Sequence, residues 1–193
     1  MFKSNKILFL FLITLIFTCN LFSEQVWYSF NDGGISEPLE IIDKSDNSQL
    51  IIEVEIPGIY MEEVTESGTT YQRLEIPQWQ NMHITGEPNL PVYSSMFAIP
   101  ECSGYTISLT ALETTVWEDK NIYPCPVYYE MGETFSIDTA LYNTNAEYPT
   151  VSYEDIGSGY FRDQRYAEVN FYPLTFNPVT QQLEILIILM SIT

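Results

Sequence analysis

Residues that carry enzyme chemistry are scarce in this chain. Its 193 residues include one histidine, His83, three cysteines, and seven lysines and arginines. One histidine and so few cysteines do not make a structural zinc site without carboxylate ligands. No glycine-rich loop joins a predicted strand to a predicted helix, which argues against a nucleotide site. We therefore expect no metal and no cofactor.

A cysteine–histidine dyad is the one nucleophilic arrangement that this composition allows, with His83 beside Cys102 or Cys125. Neither cysteine lies in a recognisable nucleophile signature. A strongly acidic surface also raises the pKa of a thiol and disfavours the reactive thiolate. We therefore interpret His83 as a surface or turn residue and expect no catalytic site.

Positive charge is also scarce. The chain carries 26 acidic residues against seven basic ones, a net charge of −19. Such a surface repels phosphate groups, so nucleic acids and anionic membrane surfaces are not expected as partners. Two interpretations stay open: a solvated acidic surface of an exported protein, or electrostatic attraction to a basic protein partner.

The apolar run at the N-terminus is too short to cross a membrane. Lys3 and Lys6 precede the apolar residues 7–17, whereas a transmembrane helix needs about 20 such residues. Small and polar residues follow up to Ser23, so residues 1–23 are predicted to be a secretory signal peptide that is cleaved after Ser23.

A lipoprotein anchor at Cys19 is the alternative, but the bulky Phe17 lies where small residues are expected. With the signal peptide removed, we expect one domain over residues 24–193, without a membrane anchor. The protein is then secreted, periplasmic or at the cell surface.

Removal of the signal peptide leaves two cysteines, Cys102 and Cys125. An even number of cysteines in an exported chain is compatible with a disulfide. Whether the two side chains face each other cannot be read from the sequence, so a Cys102–Cys125 disulfide stays open.

No window of the sequence shows the 3.6-residue period of an amphipathic helix. Apolar and polar residues alternate instead, and Gly and Pro separate the alternating segments. Strands at roughly ten-residue spacing predict an all-β fold, an antiparallel β-sandwich (jelly-roll-like) with little or no helix. Three consecutive segments, 49–56, 59–65 and 70–76, are expected to form a meander.

The middle of the chain is less regular. Residues 121–129 are extended but interrupted by Pro124 and Pro126, which predicts an edge strand or a loop. Residues 131–149 show no period. They are predicted to form a long surface connection with one short helical turn near Asp138.

The last predicted strand, 183–189, loses its alternation in the apolar run 186–190. Such a run is typical of a strand that is buried on both faces. It is equally compatible with a coding sequence that was interrupted here, so that the final strand is truncated.

Two stretches combine strands with regularly placed turns. The first is Gly86-x-Pro88-x-Leu90-Pro91, which opens a short strand that ends at Ile99-Pro100, because proline limits a strand at both ends. The second runs from Arg162-x-x-Arg165 through a strand to Pro173 and then through Phe176-Asn177-Pro178 into the last strand. In their order and spacing, these stretches resemble the pro-domains of gingipain-type cysteine peptidases, family C25. The resemblance covers about residues 26–187.

The resemblance implies an exported β-sandwich that assists the folding of a cysteine peptidase domain and blocks its active cleft until it is removed by proteolysis. No peptidase domain follows Thr193 in this sequence. We therefore expect a non-catalytic chain, either a truncated product or a free-standing inhibitor of a gingipain-like partner. The alternative is a secreted β-sandwich module that binds surface ligands or glycans.

In the family mode of inhibition, a loop side chain enters the specificity pocket of the peptidase. After signal removal, the cationic residues are Lys44, Arg73, Lys120, Arg162 and Arg165. Lys120 lies in a polar break between extended segments, and a loop can enter a cleft whereas a mid-strand residue cannot. Lys120 is therefore the predicted inhibitory residue, against the alternative of a solvated loop lysine.

Overall fold

The computed structural model describes residues 24–30, 40–43, 50–56, 58–101 and 104–192, so the predicted signal peptide lies outside the described residues. Every ladder between the strands described there is antiparallel. In chain order the elements are β1 (Val26–Ser29), β2 (Glu40–Asp43), β3 (Leu50–Glu55), β4 (Gly58–Glu66), β5 (Thr69–Glu75), β6 (Gln80–Asn81), β7 (Pro91–Ala98), β8 (Ile107–Trp117), β9 (Val127–Tyr129), β10 (Gly132–Thr134), α1 (Thr139–Tyr142), β11 (Tyr153–Phe161), β12 (Gln164–Phe171), β13 (Leu174–Asn177) and β14 (Gln182–Ile192). The all-β prediction is confirmed.

The helix α1 lies where the sequence predicts a helical turn. The carboxylate of Asp138 caps its N-terminus: Oδ1 of Asp138 accepts hydrogen bonds from the backbone N–H groups of Ala140 (2.9 Å) and Leu141 (3.2 Å). Across the described part of the chain, no helix combines the length and the apolar character that a membrane span requires.

The strands form four sheets. One has the order β1-β4-β5, one has the order β11-β12-β7-β6, and β9 and β10 form a two-stranded hairpin. The fourth has five strands, with β14 in its interior. β8 pairs along one edge of β14, while β13 and then β3 pair along the other, with β2 outside β3.

Two apolar cores lie against this five-stranded sheet. The first joins the β1-β4-β5 sheet to β13 and the first half of β14. Its buried side chains are Ile56, Ile59, Met61, Leu74, Ile76, Leu90, Ile122, Leu174, Phe176, Leu183 and Ile185. The second joins the four-stranded sheet to β8 and the end of β14. Its buried side chains are Phe97, Ile99, Ile107, Ala167, Val169, Phe171 and Ile192.

β14 contributes opposite faces to the two cores. Its pairing with β8 is regular on the β14 side, because the extra residue of the register shift lies in β8 between Ala111 and Glu113. Successive side chains of a strand point to opposite faces. Leu183 therefore lies on one face, in the first core, and Ile192 on the other face, in the second. A strand that contributes to both cores needs apolar side chains on both of its faces.

The predicted meander is wrong at its first step. β3 pairs with β2 and β14, and only the following pair, β4 and β5, is hydrogen-bonded as predicted. The short connection between β3 and β4 therefore carries the chain from one sheet to another. Alternation identifies a strand but not its partner, since pairing is decided by contacts remote in sequence.

The Gly86–Pro91 motif joins three segments of the chain. The N–H of Gly86 donates to the carbonyl of Cys125 (2.8 Å), and the carbonyl of Gly86 accepts from the N–H of Asp138 (2.8 Å). Gly86 has φ +86°, and a Cβ at this position would lie 2.9 Å from the backbone N of Asp138. Both the conformation and the contact therefore require glycine.

We expect Gly86→Ala to destabilise the fold more than Gly68→Ala. The two glycines have nearly the same φ, but a Cβ on Gly68 would meet nothing within 4 Å. The control should lose about 1–2 kcal/mol for the left-handed conformation alone, and Gly86→Ala should lose more because the Asp138 backbone must move. Urea unfolding measures the loss of stability in both variants. Equal losses would contradict the close contact between position 86 and the Asp138 backbone.

Two tyrosines lie near this junction with their hydroxyls hydrogen-bonded inside the protein. The Tyr142 hydroxyl donates to the carbonyl of Ile122 (2.7 Å), and the Tyr148 hydroxyl donates to the carboxylate of Glu87. Burial raises the pKa of both phenols above its ordinary value, and for Tyr148 the bond to Glu87 adds to the effect. Both hydroxyls therefore favour the protonated form in the folded state.

This linkage predicts a loss of stability at alkaline pH. An unfolded tyrosine titrates near pH 10, whereas the folded phenols keep their protons, so their contribution is full below pH 10 and falls above it. The slope is at most about 1.4 kcal/mol per pH unit for each tyrosine. Urea unfolding from pH 8 to 11 should show this fall, and Tyr142→Phe and Tyr148→Phe should each flatten it. Parallel curves for the parent and both variants would refute the assignment.

Candidate functional site

Lys120 lies in a tight turn between β8 and an extended segment, 121–126. Asp119 has φ +55°, which closes the turn. The N–H of Lys120 donates to the carbonyl of Gln181 (2.9 Å), and Nε2 of Gln182 donates to Oε1 of Glu118 (3.1 Å). The Lys120 turn is therefore attached to the turn that precedes β14.

That second turn is made by the Phe176-Asn177-Pro178 motif. Oδ1 of Asn177 accepts hydrogen bonds from the N–H groups of Val179 (3.1 Å) and Thr180 (3.3 Å), which is the geometry of an Asx turn. Gln181 has φ +55° and starts the return into β14. The motif thus fixes the turn that ends at Gln181, whose carbonyl accepts the hydrogen bond from the Lys120 N–H.

The residue after Lys120 is held as firmly. The N–H of Asn121 donates to Oε1 of Gln72 (2.6 Å), and its carbonyl accepts from the Gln72 N–H (2.8 Å). The N–H of Tyr123 donates to the Gln72 carbonyl (2.9 Å). Gln72 is 8% exposed, and a buried side-chain amide without such partners is costly. The segment 121–126 is an extended loop that lies beside β5 through a single parallel bridge, and residues 127–129 form strand β9. The predicted edge strand or loop over residues 121–129 is therefore both in turn.

The Lys120 side chain is half-buried beside aromatic rings. Its Nζ lies 5.9 Å from the ring centroid of Trp117. That ring contacts Tyr28 and Phe30 at centroid distances of 5.5 and 5.4 Å. The turn therefore presents a cation on a fixed backbone, and a preorganised group loses less entropy when it binds.

An acidic groove of about 340 Å³ lies next to this turn. Its lining residues are Val116, Glu118, Glu147, Thr175, Asn177, Gln182 and Glu184. Among the residues that the structure describes, no group of three or more histidines, cysteines or carboxylates is arranged to bind a metal. The groove places negative charge beside Lys120.

The other cations differ in how they are presented. Arg73 forms an ion pair with Glu133 and lies over the Tyr123 ring, 4.0 Å from its centroid. Arg165 lies within β12, and Lys44 is outside the described residues. Arg162 is exposed at the turn between β11 and β12, with φ +58°. The sequence pattern does not reveal this turn, because Arg162-Asp163 lacks the Asn-Gly signature that is typical of tight hairpins.

The histidine and the described cysteine, which the sequence does not favour as a catalytic dyad, differ in accessibility. His83 is exposed in the loop after β6. Cys125 is a buried free thiol, and burial followed by the charge of Glu133 raises its pKa. The thiol therefore stays protonated and is a poor nucleophile. Cys102 lies outside the described residues, so the possible Cys102–Cys125 disulfide stays open.

The comparisons with known proteins give this fold a class, that of peptidase pro-domains. The family model Propeptide_C25 matches residues 36–193, and the chain belongs to this family of C25 propeptides. A comparison with curated proteins found no match.

Two solved structures from Porphyromonas gingivalis share the fold. One, from a study of the zymogenic latency of gingipain K, has a TM-score of 0.69 and 15% identity over 89% of this chain and 98% of that one. The other, a complex of RgpB pro- and mature domains, has a TM-score of 0.72 and 20% identity over 82% of this chain and 84% of that one.

Alkylation tests the state of Cys125. We expect iodoacetamide to leave Cys125 unmodified in the folded protein and to modify it in urea, because the thiol is 1% exposed and protonated. Peptide mass mapping locates the label. Absence of labelling in urea until a reductant is added would instead demonstrate the disulfide.

Proposed function

We propose that this chain acts as a non-catalytic pro-domain that assists the folding of a C25-type cysteine peptidase domain and keeps its active cleft closed. The match of the propeptide family over residues 36–193 carries the proposal. The described residues also form one fold with two continuous cores, which is what an autonomous folding template needs.

Lys120 is the residue proposed to enter the specificity pocket. Its turn is attached on one side to Gln181 and on the other to Gln72. A side chain on a backbone fixed at both ends can enter a cleft without ordering a loop first, which favours tight binding. Arg162, at the exposed turn after β11, is the competing cation.

Charge supports a basic partner surface around that cleft. Loss of Lys3 and Lys6 with the signal peptide leaves five basic residues against 26 acidic ones, a net charge of −21. The acidic groove lies beside the Lys120 turn. Complementary charge raises the association rate and fixes the orientation of docking.

Export follows from the same proposal. The N-terminal pattern of Lys3, Lys6 and the apolar residues 7–17 is that of a signal peptide. The protein then meets its peptidase outside the cytoplasm, as a secreted, periplasmic or cell-surface component.

The primary test is inhibition. The purified chain, expressed whole from residue 1, is titrated against the mature domain of RgpB and against mature gingipain K with a fluorogenic peptide substrate. Inhibition of at least one supports the proposal, and no inhibition of either at micromolar concentration overturns it for these peptidases. A glycan array measures the alternative function, and the DNA downstream of Thr193 shows whether a peptidase is encoded there.

Lys120→Ala should weaken inhibition at least about 30-fold, the loss expected when an interface hot spot is truncated. Arg162→Ala is the matched control, a second cation on an exposed turn, and should change the inhibition constant by less than twofold. If the two effects are reversed, the hairpin turn of Arg162 is the inhibitory element and Lys120 is a solvated lysine.

A further inference from the structure

A small polar cavity lies where β6, β7 and the end of β12 meet the loop that joins β6 to β7. Its volume is about 200 Å³, below the roughly 300–1,000 Å³ that is usual for drug-sized ligands. It shares no lining residue with the acidic groove beside Lys120. Its lining includes Gln80, His83, Ile84, Ser94, Asn170 and Tyr172. A cavity of this size can hold a single small ring.

Two neighbouring strands supply the floor of the cavity. Ser94 of β7 lies directly opposite Asn170 of β12, and its hydroxyl donates to Oδ1 of Asn170 (2.6 Å). Tyr172, the residue after β12, is 8% exposed, and its hydroxyl donates to the carboxylate of Glu154 (3.0 Å). The Ser94 oxygen remains an acceptor and the Asn170 amide nitrogen remains a donor. The floor therefore presents an acceptor and a donor side by side on paired strands.

The wall of the cavity is the loop 82–90, and hydrogen bonds fix its course. The N–H of Met82 donates to the carbonyl of Leu90 (2.8 Å), which closes the loop at its base. The backbone of Gly86 attaches the far side of the loop to two other segments of the chain. A wall that is held in this way loses little entropy when a ligand binds.

Two polar side chains at the rim are available to a ligand. Gln80 of β6 and His83 of the loop are both exposed, and neither side chain forms a hydrogen bond within the described part of the chain. A side-chain amide and a neutral imidazole each offer both a donor and an acceptor. Ile84, which is 56% exposed, adds apolar surface beside them.

The charge of the lining points to an uncharged ligand. None of the described lining residues is an aspartate, glutamate, lysine or arginine, although the chain carries 26 acidic residues. A cation would find no counter-charge in the cavity, and an anion would also be repelled by the net negative charge of the chain. A sugar ring fits this surface, because its hydroxyls each donate and accept while its C–H groups form apolar faces.

We propose that this cavity binds a neutral pyranose, the terminal sugar residue of a glycan. The sugar hydroxyls bond to Gln80, Ser94 and Asn170, and one C–H face of the ring packs on Ile84. The site would keep an exported chain at a surface that carries such glycans. The proposal is independent of inhibition, since neither Lys120 nor its turn lines the cavity.

The single histidine of the chain gives the binding test a unique reporter. The whole chain is titrated with the methyl glycosides of glucose, galactose, mannose and N-acetylglucosamine, and the ring signals of His83 are followed by NMR. At least one glycoside should shift these signals with a millimolar dissociation constant. Sorbitol, an open-chain polyol, and methyl glucuronide, a charged pyranose, should not shift them. No shift with any glycoside, or an equal shift with either control, overturns the site.

Two matched variants locate the binding. Gln80→Ala should weaken binding of the best glycoside by about threefold to tenfold, which is the loss of one hydrogen bond between neutral groups. Gln78→Ala removes the same exposed side chain two positions earlier, outside the cavity, and should change binding less than twofold. Both variants should keep the melting temperature of the parent. Equal dissociation constants for the two variants would place the sugar elsewhere and overturn the proposal.

Discussion

The pairing of β14 along both of its edges is the interaction on which the domain depends. β8 lies against one edge, and β13 and β3 share the other. The strand also contributes opposite faces to the two cores, Leu183 to the first and Ile192 to the second. No other described strand has three strand partners. Removal of β14 would therefore leave both cores open and three strands with an unpaired edge.

The candidate site derives its position from the start of the same strand. Gln181, immediately before β14, holds the backbone of Lys120, and Gln182 holds the side chain of Glu118. The β8 end that leads into the Lys120 turn pairs with Leu183. The site is thus an extension of the central ladder, which explains how a loop at the surface can have a defined conformation.

The opposite end of the strand lies about 33 Å away, at about 3.3 Å per residue over ten steps. There Ile192 pairs with Ile107 and packs in the second core. The two ends of β14 therefore differ, since one supports the Lys120 turn and the other packs in the second core.

Local chemistry made part of this structure predictable. Prolines limited β7 to Pro91–Ala98, and Asp138 marked α1 as a helix cap does. β11 was missed because most of its side chains are exposed and Gly157 and Gly159 interrupt its alternation. The hydrogen bonds from Gln181 and Gln72 to the Lys120 turn could not be predicted either, since they join residues about 50 to 60 positions apart. What depends on long-range pairing is invisible to a pattern of neighbouring residues.

The position of β14 along the chain also governs how the domain is made. All three of its partners are synthesised earlier, and β3 precedes it by more than 120 residues. Contacts so distant in sequence are slow to form. On a ribosome, neither core can form before β14 has emerged. The apolar strands made earlier therefore stay exposed during synthesis, and a chaperone that binds unfolded chains would recognise them. The same topology means that removal of β14 should unfold the whole domain and not one part of it, because β14 contributes to both cores.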